Sequence, residues 1–436
     1  MITRATELIG NIQNGAVDHY FTTLYTSDTI AHERQRYCRM LELLEDDVPG
    51  AEAMLVASPG RTELAGNHTD HNHGCVLAGA IDLDCVAAVT PIDRPEIILI
   101  SEQYREPIRV DLENLAVHKG EKGRTEALLR GVAAAVSRIT GTSGGFYGRV
   151  DSTCHPGKGI SSSAAFSVMV GGVLNFLFYG GKLTPLQLAR IAHEAENNYF
   201  GKPCGMMDQM ASALGGTVFI DFQDPSEPQT TRIANRLVNS GYRLAIIDTG
   251  SSHAELTGEY TAIRQEMQAA SEIFGQKFAR GITMEMLLGS IGEIRDRAGD
   301  RAVLRLIHFI EENDRTQLMA KYLKDDNFSS YLELVEASGV SSCNLLQNCS
   351  VPTARRDQGI LLALATTKRI CPEAVCRVHG GGFGGTIQAY VPEEEFDGYR
   401  RTMEEIFGED SVMAIQLGRP GICGLSGDGF ISTPVS

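Results

Sequence analysis

Along the first fifty residues apolar positions recur at helical spacing, and Arg34–Asp46 is a charged amphipathic stretch that stops at Asp47-Val48-Pro49-Gly50. From Met54 the pattern turns β-like. Met54–Ala57, Cys85–Val89, Glu96–Ile100 and Ile108–Asp111 are short runs with β-branched content between turn residues and read as strands. Ser58-Pro59-Gly60 is expected to halt the first of them. Glu126–Ile139 has helical periodicity, and Phe146–Thr153 alternates as a strand that feeds the loop His155-Pro156-Gly157-Lys158-Gly159. Ser161–Phe178 then predicts a strong helix, Thr184–Asn198 a second with Pro185 in its first turn, and Met206–Leu214 a short third. Gly216–Phe222 and Tyr242–Asp248 read as strands.

The polar stretch Gln223–Ser240 separates these two strands and is where a domain boundary is expected. Beyond it, helices are predicted over Ala254–Phe274, Ala302–Glu312 and Thr353–Ile370, and strands over Val375–His379, Thr386–Val391 and Ser411–Gln416. Helices and strands alternate without the regular rhythm of a doubly wound sheet, so the class is α+β. Three regions follow: a helical extension over residues 1–50, a first domain over 51–230 and a second over 231–436. No internal repeat or low-complexity tract interrupts them.

Composition narrows the function. The 436 residues suffice for two or three cores, and 43% apolar with 22% charged residues is the balance of a globular protein. A formal net charge of -16 repels phosphate backbones and anionic lipid, so neither nucleic acid nor a membrane is expected as a partner. A phosphorylated small molecule stays open, because a few backbone N–H groups and one cation make a local positive site. The longest apolar run, Phe166–Tyr179, is broken by Gly171-Gly172 and is shorter than the roughly 20 residues that cross a bilayer. The start, Met1-Ile2-Thr3-Arg4, lacks the basic and apolar regions of a secretory signal, and the ten cysteines form no CxxC pair. A cytoplasmic protein with reduced, buried cysteines is expected.

Three segments carry chemistry. In Pro156-Gly157-Lys158-Gly159-Ile160-Ser161-Ser162-Ser163-Ala164-Ala165 a strand feeds a glycine-bearing loop that opens a serine-rich helix. Free N–H groups and the helix dipole there make an anion site, and serine hydroxyls can bond phosphate or complete a Mg²⁺ shell. The pattern is not GxxxxGK[ST], and a serine-capped helix after a turn is the plain alternative. Gly380-Gly381-Gly382-Phe383-Gly384-Gly385 has five glycines in six positions. Such a loop suits backbone packed closely against another loop or a nucleotide, although a surface turn would look the same. Gly60-Arg61-Thr62-Glu63-Leu64-Ala65-Gly66-Asn67-His68-Thr69-Asp70-His71-Asn72-His73-Gly74 has almost no apolar content. It suits a polyhydroxylated ligand whose hydroxyls each need a donor or acceptor. His68, Asp70, His71 and His73 also leave open a metal site, and with it a metal hydrolase.

In this order and at these separations the segments resemble the three motifs of the GHMP kinase superfamily, and the first resembles galactokinase in particular. Gly60–Gly74 is similar to GRxNxxGEHTDYNxG, Pro156–Ala165 to PxxxGLSSSA and Gly380–Gly385 to GGGFGG. Ala195-Glu196 with Gly201–Gln209 is similar to AEHxxxGxPCGIMDQ, and Glu259-Tyr260 to part of SEYPxRR. The resemblance spans about residues 50–420 and implies two mixed α/β domains, a ribosomal protein S5 domain 2-like one followed by a ferredoxin-like one, with the site between them. It implies ATP and Mg²⁺ as cofactors, a small sugar as partner, and phosphorylation of galactose at its anomeric hydroxyl.

Residue by residue, Asp208 matches the catalytic base and Arg61 the arginine that pairs with it. Asn67, His68, Asp70, Gly205 and Tyr260 match sugar-binding positions. Gly157, Lys158, Gly159, Ser161, Ser162 and Ser163 match the ATP loop, and Ser163 and Glu196 the Mg²⁺-associated pair. Two departures bear on the substrate. Glu63 stands where the family has asparagine and Asn67 where it has the glutamate that faces the C6 hydroxyl. The exchange implies galactose or a C6-altered sugar such as galacturonate or arabinose. A non-catalytic sugar and ATP sensor is a further alternative, against which Ser161–Ser163, Asp208 and Arg61 are all present.

Overall fold

The computed structural model describes residues 2–102, 106–142, 144–234, 237, 240–250, 256–427 and 429–434. Its first sheet is built on two long antiparallel strands. Strand β1 (Thr3–Arg4) pairs with β2 (Glu52–Ala65), which pairs with β3 (Cys75–Ile92). Added to these are β4 (Glu96–Ser101), β5 (Ile108–Asp111), β6 (Gly145–Ser152), β7 (Thr217–Asp221) and β8 (Gln229–Ile233).

Both faces of β2 and β3 are covered. Leu55, Ala57, Val86 and Ala88 pack under α1 (Ala5–Gln13), α2 (Asp18–Leu24) and α3 (Ile30–Asp47). Their sequence neighbours Met54, Val56, Cys85, Ala87 and Val89 point the other way, toward the core of α4 (Thr125–Thr140), α5 (Ser162–Phe178), α6 (Pro185–Glu194) and α7 (Met207–Leu214). Because strand side chains alternate between faces, burial on both sides turns alternation into a continuous apolar run. The helical extension is thus a layer of the fold, and buried polar contacts hold it. Arg36 Nη1 lies 2.7 Å from Asp84 Oδ1, and Tyr25 donates to Asp84 Oδ2 at 2.5 Å.

The second sheet is antiparallel, with β9 (Tyr242–Asp248), β10 (Val375–Val378), β11 (Thr386–Pro392) and β12 (Val412–Ile415) in the order β10-β11-β9-β12. A five-helix insertion, α8 (Thr257–Glu272), α9 (Met284–Ala298), α10 (Asp300–Lys324), α11 (Phe328–Ser341) and α12 (Gly359–Ile370), lies between β9 and β10, and α13 (Phe396–Phe407) lies between β11 and β12. Strand order and connection are those of a ferredoxin-like βαββαβ unit. The chain then returns to the first sheet, where β13 (Cys423–Ser426) pairs with β2 and β14 (Gly429–Ser432) with β13. The span 231–436 expected for the second unit therefore includes strands that belong to the first. Arg419, fully buried against Asp84 at 2.6 Å, ties this returning segment to β3 and the helical layer.

The structure corrects four further expectations. Strand β2 does not stop at Ser58-Pro59-Gly60; it shifts register between Pro59 and Arg61 and runs on to Ala65. Polar residues hide that continuation, because Arg61, Thr62 and Glu63 find their partners inside the protein. The helix expected over Thr353–Ile370 starts only at Gly359, and α9, α11 and α13 are additional. Residues 254–255 of the helix expected over Ala254–Phe274 lie outside the described residues. Finally, Cys343 and Cys349 form a disulfide, while the other eight cysteines are free. A separation of six residues across a tight turn brings these two together, which spacing alone does not disclose.

Candidate active site

Asp208 sits in the first turn of α7 and its side chain is 25% exposed. Arg61 reaches it from β2, with Nε 2.7 Å from Asp208 Oδ1 and Nη1 donating to Gly159 O at 2.7 Å. Ser161, in the left-handed region at φ 59°, donates its hydroxyl to Asp208 Oδ2. Burial pushes the Asp208 carboxyl up, but the Arg61 charge and the hydrogen bonds from Arg61 and Ser161 outweigh it and hold the group below the usual carboxylate range. Asp208 is therefore an ionised acceptor, open to the cleft and fixed in direction.

A second carboxylate is set by a change of helical pitch. Helix α6 begins in a capping box between Thr184 and Gln187, and at Ala195–Phe200 it widens into a π turn that carries Glu196 inward. Ser163 donates to Glu196 Oε1 at 2.9 Å, Gln209 to Oε2 at 2.7 Å, and Lys202 Nζ lies 3.3 Å from Oε1. The hydroxyl of Ser163 and the carboxylate of Glu196 are hard oxygen donors at one spot, which fits Mg²⁺, an ion that takes few protein ligands and keeps water and phosphate as the rest.

The phosphate-loop residues gather at the start of the 17-residue α5. Gly159 has φ 73°, and a methyl group there would lie 2.3 Å from Thr386 Oγ1 of β11, so neither conformation nor space admits a side chain. Lys158 points across to the second sheet, its Nζ 2.7 Å from Asp248 Oδ2. Ser162 and Ser163 occupy the first turn of α5, where backbone N–H groups lack helical partners.

Of the expected sugar-binding residues, Gly205 packs against Asp70, and Tyr260 stacks on His68. Asp70 accepts from His71 N at 2.8 Å and from Met207 N at 3.4 Å. A methyl group on Gly205 would lie 1.8 Å from Asp70 Oδ2, so this carboxylate requires glycine there. Burial, and then the charge on Asp208, pushes the Asp70 carboxyl up. His68 Nε2 donates to Gly381 O at 3.1 Å, and Tyr260 donates to Gly382 O at 3.0 Å while stacking on His68. Burial holds the His68 imidazole down at about 4, so it is neutral at pH 7. The glycine loop thus packs against another loop: Gly380–Gly382 hold Asn67, His68 and Tyr260. His73 turns away and stacks on Phe278 at 3.8 Å between ring centres.

Asn67 corrects the expectation of a sugar-reading amide. It has no exposed surface. Its Nδ2 donates to Glu63 Oε1 at 3.0 Å and to Gly380 O at 2.7 Å, and its Oδ1 accepts from Ser342 at 3.2 Å and Asn348 at 2.8 Å. Two donors and two acceptors are all that a primary amide offers, so none is left for a ligand. Glu63, also buried, pairs with the fully buried Arg377, and desolvation pushes its carboxyl up to about 7 against that charge. Around them His308 bonds the backbone O of Asn67 at 2.9 Å, and Glu312 accepts from Gly66 N at 3.1 Å. His379 Nε2 accepts from Glu63 N at 3.3 Å, leaving Nδ1–H to face Thr386.

Sequence reasoning missed the supporting residues Gln209, Asn348, Arg377 and Glu312. Gln209 closes the quoted Gly201–Gln209 stretch and could have been found. The others lie singly in helices, strands and turns that carry no local signal.

Residues 127–216 match the model of the GHMP kinases N terminal domain, and residues 46–91 match the galactokinase galactose-binding signature. Lactococcus lactis galactokinase, solved with galactose, superposes with a TM-score of 0.75 at 22% identity, covering 87% of this chain and 97% of that one. A mevalonate kinase matches with a TM-score of 0.57 at 16% identity, over 84% and 99% of the two chains. A D-glycero-D-manno-heptose 1-phosphate kinase from Bacteriodes thetaiotaomicron gives 0.57 at 14% identity, over 85% and 98%. At such identities the structural likeness speaks for the fold, and the two family models speak for residues 46–91 and 127–216.

Proposed function

The chain being a galactokinase-like member of the GHMP kinases, a family of kinases that phosphorylate a hydroxyl group, we propose that it transfers the γ-phosphoryl group of ATP to the anomeric hydroxyl of galactose. One observation carries the reading: Asp208 is ionised, open to the cleft and held by Arg61 and Ser161 beside the phosphate loop. The anomeric oxygen attacks the γ-phosphorus, its proton passes to Asp208, and the bond from phosphorus to the β,γ-bridging oxygen breaks to release ADP. Asp208 adds ~10²–10⁴-fold as base, and positioning and charge do the rest. Ser163 and Glu196 would hold Mg²⁺, which when bound would supply positive charge to the phosphates. His68, Asp70 and Tyr260 form the polar wall for the sugar, and the N-terminus of α5 receives the phosphates. The same reading expects a cytoplasmic protein, since ATP is its donor; no helix among the described residues is long and apolar enough to cross a membrane.

A second reading has its own support. Neither position presents a carboxylate to a ligand: residue 67 is a buried amide, and Glu63 is paired with Arg377. A sugar with a carboxylate at C6, or without C6, would then meet no repelling anion from either position. The test is ADP release with Mg-ATP over galactose, galacturonate, arabinose, N-acetylgalactosamine, glucose and talose. Highest kcat/KM on galactose is expected; preference for galacturonate or arabinose selects the second reading. ATP binding without turnover on any sugar would leave a sensor in place of a kinase.

A further inference from the structure

Three cations pair with carboxylates in or beside the candidate site, and they are not equally exposed. Arg61 has a side chain only 6% exposed, with Nε and Nη1 taken up by Asp208 and Gly159 O. Lys158 is 27% exposed and turned to Asp248. Lys202 is 55% exposed, with its ammonium 3.3 Å from Glu196 Oε1. An ammonium has three donors, so the contact with Glu196 uses only one of them.

The base of this side chain is fixed. The backbone N–H of Lys202 donates to Glu196 O at 3.1 Å, and Pro203 behind it restricts Lys202 to extended geometry. Its charge is also felt by two further groups of the candidate site. After Arg61 and Ser161, Lys202 helps offset the burial of Asp208, and it acts on Tyr260 from the sugar side. Lys202 therefore stands among the Mg²⁺-associated carboxylate, the base and the sugar wall, a region that already holds the carboxylates of Glu196, Asp208 and Asp70. A highly charged phosphoryl group can enter there only if positive charge meets it.

We propose that Lys202 is a catalytic cation of this site, its ammonium binding the γ-phosphoryl oxygens of the nucleotide as that group passes to the hydroxyl facing Asp208. The inference rests on the kinase reading. In the transfer the new O–P bond forms at the sugar, the bond to the bridging oxygen breaks toward ADP, and the hydroxyl proton goes to Asp208. Lys202 neither gains nor loses a proton.

The experiment uses the full chain with Lys202→Met and Lys202→Arg. Turnover on each accepted sugar is measured alongside calorimetric binding of ADP and of a non-hydrolysable ATP analogue. For Lys202→Met, kcat is expected to fall roughly 10²-fold on every accepted sugar. Its affinity for the ATP analogue falls about tenfold or more while ADP affinity stays within about twofold, and Lys202→Arg keeps at least about a tenth of the wild-type rate, since a guanidinium also binds phosphate. A kcat within threefold of wild type, an equal loss of both nucleotides, or a loss confined to galacturonate would each overturn the proposal, the last assigning Lys202 to an acceptor carboxylate. If the wild-type chain binds ATP but phosphorylates no sugar, the kinase reading fails on its own, and the ratio of the two nucleotide affinities still decides whether Lys202 holds a γ-phosphoryl group.

Discussion

Arg61 and Glu63 are two residues apart on one strand and leave it on the same face, yet they belong to opposite kinds of ion pair. Arg61 meets Asp208 at the cleft, where a quarter of the Asp208 side chain reaches solvent. Glu63 meets Arg377 where neither partner has more than 3% of its side chain exposed. The same chemistry gives opposite electrostatics: Asp208 is held below its ordinary pKa, whereas Glu63 is pushed up to about 7. The difference lies in what else each carboxylate receives. Asp208 has Arg61, Ser161 and a quarter of its side chain exposed. Glu63 has Arg377 and Asn67 but almost no exposed surface, and Glu312 adds a like charge nearby. The exposed pair can meet a substrate proton; the buried one organises the two loops behind it.

The sharpest way to break the comparison is at the cleft. Asp208→Asn keeps the shape and the Ser161 contact but removes the proton acceptor, so kcat should fall about 10³–10⁴-fold, with ATP affinity, measured by calorimetry, within a few-fold of wild type. Near-normal turnover would remove Asp208 from the mechanism. Arg377→Met tests the interior pair. Leaving Glu63 buried without its cation should cost about 3–5 kcal/mol of unfolding free energy in urea. A loss below about 1 kcal/mol would mean that the pair is not structural.

Next in size is Asn67→Glu. It sets a carboxylate against Glu63 and against Gly380 O, and the lost donors should destabilise the chain by about 2–4 kcal/mol without changing the preference between galactose and galacturonate. The reciprocal exchange Glu63→Asn/Asn67→Glu should recover at least half of that loss if the two positions are coupled. A single variant that is stable and shifts toward galactose would return Asn67 to the sugar site.

The last contrast is in pH, and its sign separates the pairs. Glu63 binds its proton more tightly in the native state than in the unfolded chain, so its contribution is largest below about pH 4.3 and falls as pH rises toward 7, by at most about 1.4 kcal/mol per unit. Asp208 does the opposite: its contribution is present above about pH 3.9 and is lost as pH falls further. Urea midpoints across pH 4–8 should therefore flatten in Glu63→Gln but not in Asp208→Asn. Parallel curves for the two variants would refute the assignment of opposite shifts.

Much of this protein was legible in its residues taken in order. Hydrophobic period placed the extension helices, most of the strands and the loop-to-helix step at Gly157–Ser163, because local backbone preference and one-sided burial leave their mark within a few residues. The resemblance to family motifs singled out Asp208, Arg61, His68, Asp70 and Ser163, and the fold sets Arg61 and Ser161 on Asp208 and Ser163 on Glu196. The fate of Glu63 and Asn67 lay beyond that reach. Their partners Arg377, Gly380, Ser342 and Asn348 are more than 270 positions away along the chain. A polar residue carries the same local signal whether it faces a ligand or a buried partner. Only the tertiary structure decided that these two are spoken for inside the protein, since burial and pairing are properties of the neighbours that folding supplies.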